Sequence, residues 1–286
     1  MKFISSGMIV CPNQNVRHPP TKDSPTNWLR GNVVGLDVIT VHGYIVDVDN
    51  QIPALFLKSE FDESFGHNTN DLVERYINYS GWSHLKTLSE VINCPVNLLL
   101  IPYRFPYKST DPDYHEKKCI FYYEDIINSK FSKESVISLS DVKYILTKLR
   151  KRNFKFAKPL KSAMSYFECY LANDGYGNKS PWPGDIDGVL FFRGRHRAIL
   201  EYKTHNLRSP IIDEYIGKYG KEDWRRFSVL NVLKSKLNVP IFFIVWGPNH
   251  YEVKIQVILD GDIVHGIYLT NKREFHHKII ELMDVY

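Results

Sequence analysis

A mixed α/β fold is what this sequence predicts, on three observations. Short apolar, β-branched runs alternate with stretches of helical spacing, and the second half reads helix, strand, strand, helix, strand. The composition, 43% apolar and 24% charged over 286 residues, is globular and excludes disorder, collagen and coiled coil. A basic run of Lys148, Arg150, Lys151, Arg152, Lys155, Lys158 and Lys161 interrupts the pattern. It places a boundary near residue 150, between an N-terminal α/β lobe (1–150) and a second domain (151–286).

In chain order, Cys11 to Asn27 is rich in Pro, Asn and Thr and reads as an irregular entry segment. Val33 to Val48 reads as strands turning at His42-Gly43, and Ala54 to Lys58 as a further strand. Asp71 to Val91 carries helical spacing through Leu72, Tyr76, Leu85 and Leu88, and Val96 to Ile101 is a buried strand. Pro106 and Pro112 break the pattern, and Asp141 to Lys161 combines a short helix with the basic run. Beyond it, Ala163, Tyr166, Phe167, Tyr170 and Leu171 recur at the spacing of one helical face, with Glu168 on the polar side. Val189 to Arg193 and Arg197 to Tyr202 are two strands around a basic turn. Asp223 to Leu237 is a helix, and Ile241 to Trp246 a strand after Pro240.

The formal net charge is +5, divided as −1 over 1–150 and +6 over 151–286, so attraction to a polyanion is expected mainly from the second half. Cys11, Cys94, Cys119 and Cys169 lack the paired spacing of a disulfide framework or zinc cluster and read as free thiols of a reducing compartment. The longest apolar run, Pro240 to Trp246, is far short of the roughly 20 residues that span a bilayer. Met1 to Cys11 is a poor signal peptide. The expectation is a cytoplasmic protein without a membrane partner.

A faint internal similarity links the halves. Trp82, Leu85, Leu88 and Pro95 before a strand run parallel to Trp224, Phe227, Leu230 and Pro240 before another, and the strand Ala54 to Lys58 parallels Ala198 to Lys203. On this reading Phe56 stands where Glu201 stands, and the first half is a degenerate copy lacking its acid.

The informative segment is Pro183-Gly184-Asp185-Ile186-Asp187-Gly188, a hydrophobic strand, the turn Arg193-Gly194-Arg195-His196-Arg197, and the strand Ala198-Ile199-Leu200-Glu201-Tyr202-Lys203. Strand alternation puts Glu201 and Lys203 on one face. A turn centred on Arg195 sets Asp187 opposite Lys203. Two carboxylates and an ammonium suit a hard divalent cation beside a substrate phosphate. The competing reading is a strand-end ion pair between Glu201 and Lys203.

These residues resemble the PD-(D/E)xK nuclease superfamily, the restriction-endonuclease-like fold, over roughly Ser162 to Trp246. The resemblance implies a mixed sheet flanked by helices, with Asp187 as first acid, Glu201 as second acid and Lys203 as the lysine. It implies Glu168 on the leading helix as an added metal ligand and Mg²⁺, or Mn²⁺, as cofactor. Pro183 does not directly precede Asp187, and Asp185 competes for the first role as an alternate ligand. The implied activity is DNA endonuclease hydrolysis of restriction, defence or phage type, with RNA-cutting members known in the family. A homodimer is the expected assembly if both strands are cut. Arg193, Arg195, Arg197 and Arg226 are candidate phosphate contacts; the first three compete with a solvated turn, and Arg226, awkwardly placed one turn before Leu230 on the apolar stripe, either reaches the active site or snorkels. Trp182, Tyr202 and Trp224 read as core residues and His205 as a surface histidine. Two alternatives stand beside the nuclease. Asp185-Ile186-Asp187 matches the D-x-D metal site of a glycosyltransferase, and a degenerate nuclease fold can bind nucleic acid without cutting it.

Overall fold

Strands form where apolar and β-branched residues run together, and two mixed sheets flanked by helices result. The computed structural model describes residues 23–29, 34–61, 71, 73–74, 81–102, 118–128, 134–152, 167–168, 171, 180–205, 209–247, 250–260 and 262–286, with 134 and 219–225 as backbone. The elements are α1 (Pro25–Leu29), β1 (Leu36–Val41), β2 (Gly43–Ile45), β3 (Ala54–Phe61), α2 (Trp82–Ile92), β4 (Val96–Pro102), β5 (Ile120–Tyr123), β6 (Glu134–Ile137) and α3 (Leu139–Arg150). The second half continues with β7 (Ile186–Phe192), β8 (Arg195–Thr204), α4 (Gly220–Leu237), β9 (Ile241–Trp246), β10 (Val253–Leu259), β11 (Asp262–Leu269) and α5 (Phe275–Val285). Residues Phe167, Glu168 and Leu171 are helical, as expected; Ala163, Tyr166 and Tyr170 lie outside the described residues. Among the described residues no helix is long and apolar enough to cross a membrane.

The chain divides into two units, and the division differs from a cut at residue 150. Unit 1 is Met1–Pro20, His42–Tyr79 and Asn93–Gly184; unit 2 is Thr21–Val41, Ser80–Ile92 and Asp185–Tyr286. His42 is therefore no hairpin turn: β1 joins the sheet of unit 2 and β2 that of unit 1. The basic run belongs to unit 1, where α3 begins in a capping box between Ser138 and Asp141 and ends on Lys151 in the left-handed region. Counted by unit, 19 basic and 16 acidic residues fall in unit 1, and 18 and 16 in unit 2. The charge asymmetry of the linear halves does not survive folding.

In unit 1 the sheet order is β2-β3-β4-β5-β6. The pairs run antiparallel, parallel, antiparallel, antiparallel. Phe56, Leu99, Ile101 and Ile120 pack with Leu139, Val142 and Leu146 of α3 and with Phe167 and Leu171. In unit 2 the order is β1-β7-β8-β9-β10-β11, and from β7 onward the pairs run in the same four senses. Leu190, Leu200, Phe242, Ile244 and Ile255 pack there with Leu29 of α1 and Phe275 and Ile279 of α5. Removing such fully buried side chains from water contributes about 1.5–3 kcal/mol each.

The two sheets also agree residue by residue. Gly43 pairs with Phe56 as Gly188 pairs with Leu200. Leu55 N–H donates to Pro95 O at 3.0 Å, and Ile199 N–H to Pro240 O at 3.0 Å. Lys58 N–H donates to the His42 ring at 3.0 Å, and Tyr202 N–H to the Asp187 carboxylate at 2.7 Å. This register sets His42 against Asp187, Leu57 against Glu201 and Ser59 against Lys203. The residue standing where Glu201 stands is thus Leu57, not Phe56, because Ala54 and Ala198 hold the same place beside the parallel strand.

Candidate functional site

The site begins with the β7/β8 hairpin. Arg193 and Gly194 both have positive φ, 50° and 76°, and form a two-residue turn closed by Phe192 and Arg195. Two consecutive left-handed residues match the twist of a type I′ hairpin, which glycine accepts freely and arginine less readily. Arg197 is then the extra residue of a bulge, since Leu190 pairs with Ala198 but Phe191 with His196. A turn centred on Arg195 would set Asp187 opposite Lys203. The earlier turn and the bulge instead pair Gly188 with Leu200, so one step further Asp187 faces Glu201. Gly188 has no room for a side chain, because a Cβ would meet Val38 Cγ1 at 2.8 Å.

Alternation along β8 turns Leu200 and Tyr202 toward the core shared with α1 and α5. Ile199, Glu201 and Lys203 take the other face. There α4 covers the sheet through Phe227, whose ring lies 5.9 Å from that of Phe243. One residue before Phe227, Arg226 reaches the acids. Its Nη2 donates to Glu201 Oε2 at 3.0 Å and stands 3.5 Å from both Asp185 Oδ1 and Asp187 Oδ2; its Nε contacts Glu201 Oε1. Of the two places open to Arg226 on the helix stripe, it takes the one at the acids and does not snorkel.

Three carboxylates around one guanidinium carry surplus negative charge in a buried setting. Burial, then Asp185, pushes the Asp187 carboxyl up to about 7, against the pull of Arg226 and the Tyr202 N–H. Burial, then Asp187, pushes Glu201 up to about 8, again opposed by Arg226. Burial disfavours the Arg226 charge, but the three acids outweigh it and hold the guanidinium protonated more firmly than usual. Asp185 is the open member, with 56% of its side chain exposed against 18% for Asp187 and 6% for Glu201.

Lys203 lies half-buried on the face of Glu201, two residues further along β8. Glu168 sits in unit 1, ion-paired with Lys58, whose ammonium also lies 5.2 Å from the Trp182 ring. The corresponding contact in unit 2 is a hydrogen bond from Thr26 Oγ1 to Tyr202 OH at 3.0 Å. Glu168, expected as a further ligand, is thus placed in unit 1 against Lys58, whereas Asp187 and Glu201 fall in unit 2. Trp182 packs against the core as expected, donating to His42 O at 2.5 Å and edge-on to Phe56 and Phe167; the Trp224 side chain lies outside the described residues.

Of the hairpin arginines, Arg193 and Arg195 are exposed and Arg197 is half-buried. Arg193 lies 4.9 Å from the Phe192 ring. His205 is buried, not superficial: its Nε2 is 3.2 Å from Glu214 Oε1, and its N–H donates to Trp246 O at 2.7 Å. Glu214 also receives Ser209 and Lys218 at 3.0 and 2.9 Å, so a satisfied polar cluster secures the chain just beyond Lys203. Sequence reasoning missed Glu214 because only folding brings it to His205. Burial pushes the Cys94 thiol up to about 12.

Among the described residues, no group of three or more His, Cys, Asp or Glu side chains stands in metal-holding geometry, and Arg226 takes the place of a cation among the three acids. In donor chemistry the cluster nevertheless fits a hard divalent cation. Its donors are all carboxylate oxygens, the ligand class that a hard divalent cation takes.

No protein-family model matches the chain, and no curated protein matches it. A solved structure described as "Crystal structure of Sex pheromone staph-cAM373 precursor" is similar at 11% identity over 92% of this chain and 85% of that one. Its TM-score of 0.18 carries no argument about fold or function.

Proposed function

We propose that this chain is a metal-dependent nuclease that hydrolyses phosphodiester bonds in DNA, on a restriction-endonuclease-like arrangement in unit 2. The observation that carries this reading is Asp187 and Glu201 meeting at one guanidinium just beyond the Gly188–Leu200 pair of a hairpin, with Lys203 next along β8 and a helix leading to a parallel strand. A D-x-D glycosyltransferase uses Asp185 and Asp187 but leaves Glu201 and Lys203 without a part.

Asp187 and Glu201 would hold a divalent cation, which when bound would supply Lewis-acid stabilisation of charge on the scissile phosphate. The Tyr202 N–H tethers the Asp187 carboxylate through Oδ2 and so restrains its orientation. Lys203 orients the attacking water and offsets negative charge that builds on the phosphate. Arg226 favours the ionised form of the buried acids and, once displaced, is placed to meet the phosphate instead. Arg193 and Arg195 hold the nucleic-acid backbone by charge alone.

The test is incubation of the full chain with plasmid, linear duplex, single-stranded DNA and RNA, in Mg²⁺ or EDTA. Cleavage of DNA that needs Mg²⁺ and is lost in Asp187→Asn and Glu201→Gln supports the reading. Folded wild-type protein that cuts none of the four substrates overturns it.

A further inference from the structure

Strands β2–β6 of one sheet and β7–β11 of the other, which also carries β1 at its edge, share their order, their pair senses and hydrogen bonds at matching positions within one chain. Agreement reaches single residues. The tight glycine is Gly43 in one sheet and Gly188 in the other, each opposite the same position of the next strand and each pressed by a neighbour, Trp182 or Val38. The leading helical segments correspond as well: Glu168 meets Lys58 where Thr26 meets Tyr202, and three residues on Leu171 and Leu29 are both fully buried.

The chemistry does not correspond. Where unit 2 carries Asp187, Glu201 and Lys203, unit 1 carries His42, Leu57 and Ser59. His42 still accepts the strand N–H that Asp187 accepts, so the backbone device is kept while the carboxylate is gone. Leu57 is buried, and an apolar group there cannot ligate a cation. Glu168 does not substitute, because Lys58 takes its carboxylate.

We infer that the chain is a fused pair of like-folded units in which one carries the acids and the other does not, and that it therefore breaks one strand of a duplex per encounter, producing a nick. This rests on the nuclease reading of unit 2. Each break consumes one water: its oxygen bonds to phosphorus as one P–O ester bond opens, leaving one phosphate end and one hydroxyl end that carries the transferred proton. Cutting the second strand requires a second acid set, which unit 1 does not offer among the described residues.

Two measurements on the full chain separate the possibilities. In the first, supercoiled plasmid is followed with Mg²⁺. Nicked circles that accumulate ahead of linear DNA are the expected result, whereas linear DNA formed directly from the supercoil overturns the inference. A supercoil that stays intact overturns the nuclease reading itself. In the second, Mn²⁺ is titrated into wild type and into the Asp187→Asn/Glu201→Gln double variant, with circular dichroism as the folding control. Binding in wild type that disappears in the double variant supports a single acid-bearing unit, whether or not any substrate is cut. Binding retained in the double variant places a cation elsewhere and overturns it.

Discussion

Arg226 donates to Glu201 at 3.0 Å while standing 3.5 Å from Asp187 and Asp185, so one guanidinium from α4 joins acids from two segments of the β7/β8 hairpin. A resident cation of this kind makes the acid cluster foldable without metal and ties its stability to pH and divalent ions.

Arg226→Gln leaves buried carboxylates without their counter-charge. The expected destabilisation is about 2 kcal/mol near pH 8, below the 3–5 kcal/mol of a fully enclosed pair. Solvent screening reduces it because 38% of the Arg226 side chain is exposed. Near pH 5 the effect is smaller, because the acids take up protons. Urea unfolding at both pH values measures it, and Mg²⁺ restores part of the stability at pH 8 only.

Asp187 and Glu201 are raised in the fold to about 7 and about 8, above their ordinary carboxyl values. Between the unfolded and folded values the native state holds more protons than the unfolded chain, so stability falls as pH rises. The stabilising contribution is complete below about pH 4, the unfolded carboxyl range, and is lost as pH climbs through 7 to 8. Glu201→Gln flattens this decline. Denaturation midpoints from pH 5 to 9 check it; a variant as steep as wild type contradicts the assignment.

Asp187→Asn, Glu201→Gln and Lys203→Ala each lower cleavage by about 10²–10³ or more while folding is kept, the range for one preorganised group. Asp185→Asn costs less, since its side chain is largely exposed and lacks the backbone tether that Asp187 receives from Tyr202. Single-turnover rates rank the four; Asp185→Asn falling below Asp187→Asn reverses the order of ligands.

Replacing Arg193 and Arg195 with Gln lowers the slope of log affinity against log salt by about one to two, at roughly 0.9 for each phosphate no longer neutralised. Because the two units carry similar net charge, a substantial slope remains. Fluorescence anisotropy in Ca²⁺, with Glu201→Gln as the background, reads both.

Arg193→Asn gives the turn the Asn-Gly pair that a type I′ hairpin prefers and relieves a left-handed arginine. The expected gain is about 0.5–1 kcal/mol. A rise in thermal midpoint is the readout, and an unchanged or lower midpoint counts against the turn geometry.

Glu201 and Lys203 were legible as a same-face pair because strand alternation is local, and so were the helix over Asp223 to Leu237, the strand after Pro240 and the mixed α/β class. The strands over 118–137 and 250–269 and helix α5 escaped: β11 is exposed along most of its length, so no buried face marks it. The partner of Asp187 needed the turn type and the bulge at Arg197, each of which moves the register by whole residues without changing the hydrophobic pattern. Glu168 went to Lys58, Arg226 to the acids and β1 to the second sheet for one reason. Residue spacing along the chain specifies which face a side chain takes. Which distant segment covers that face is settled by packing and charge neutralisation in three dimensions.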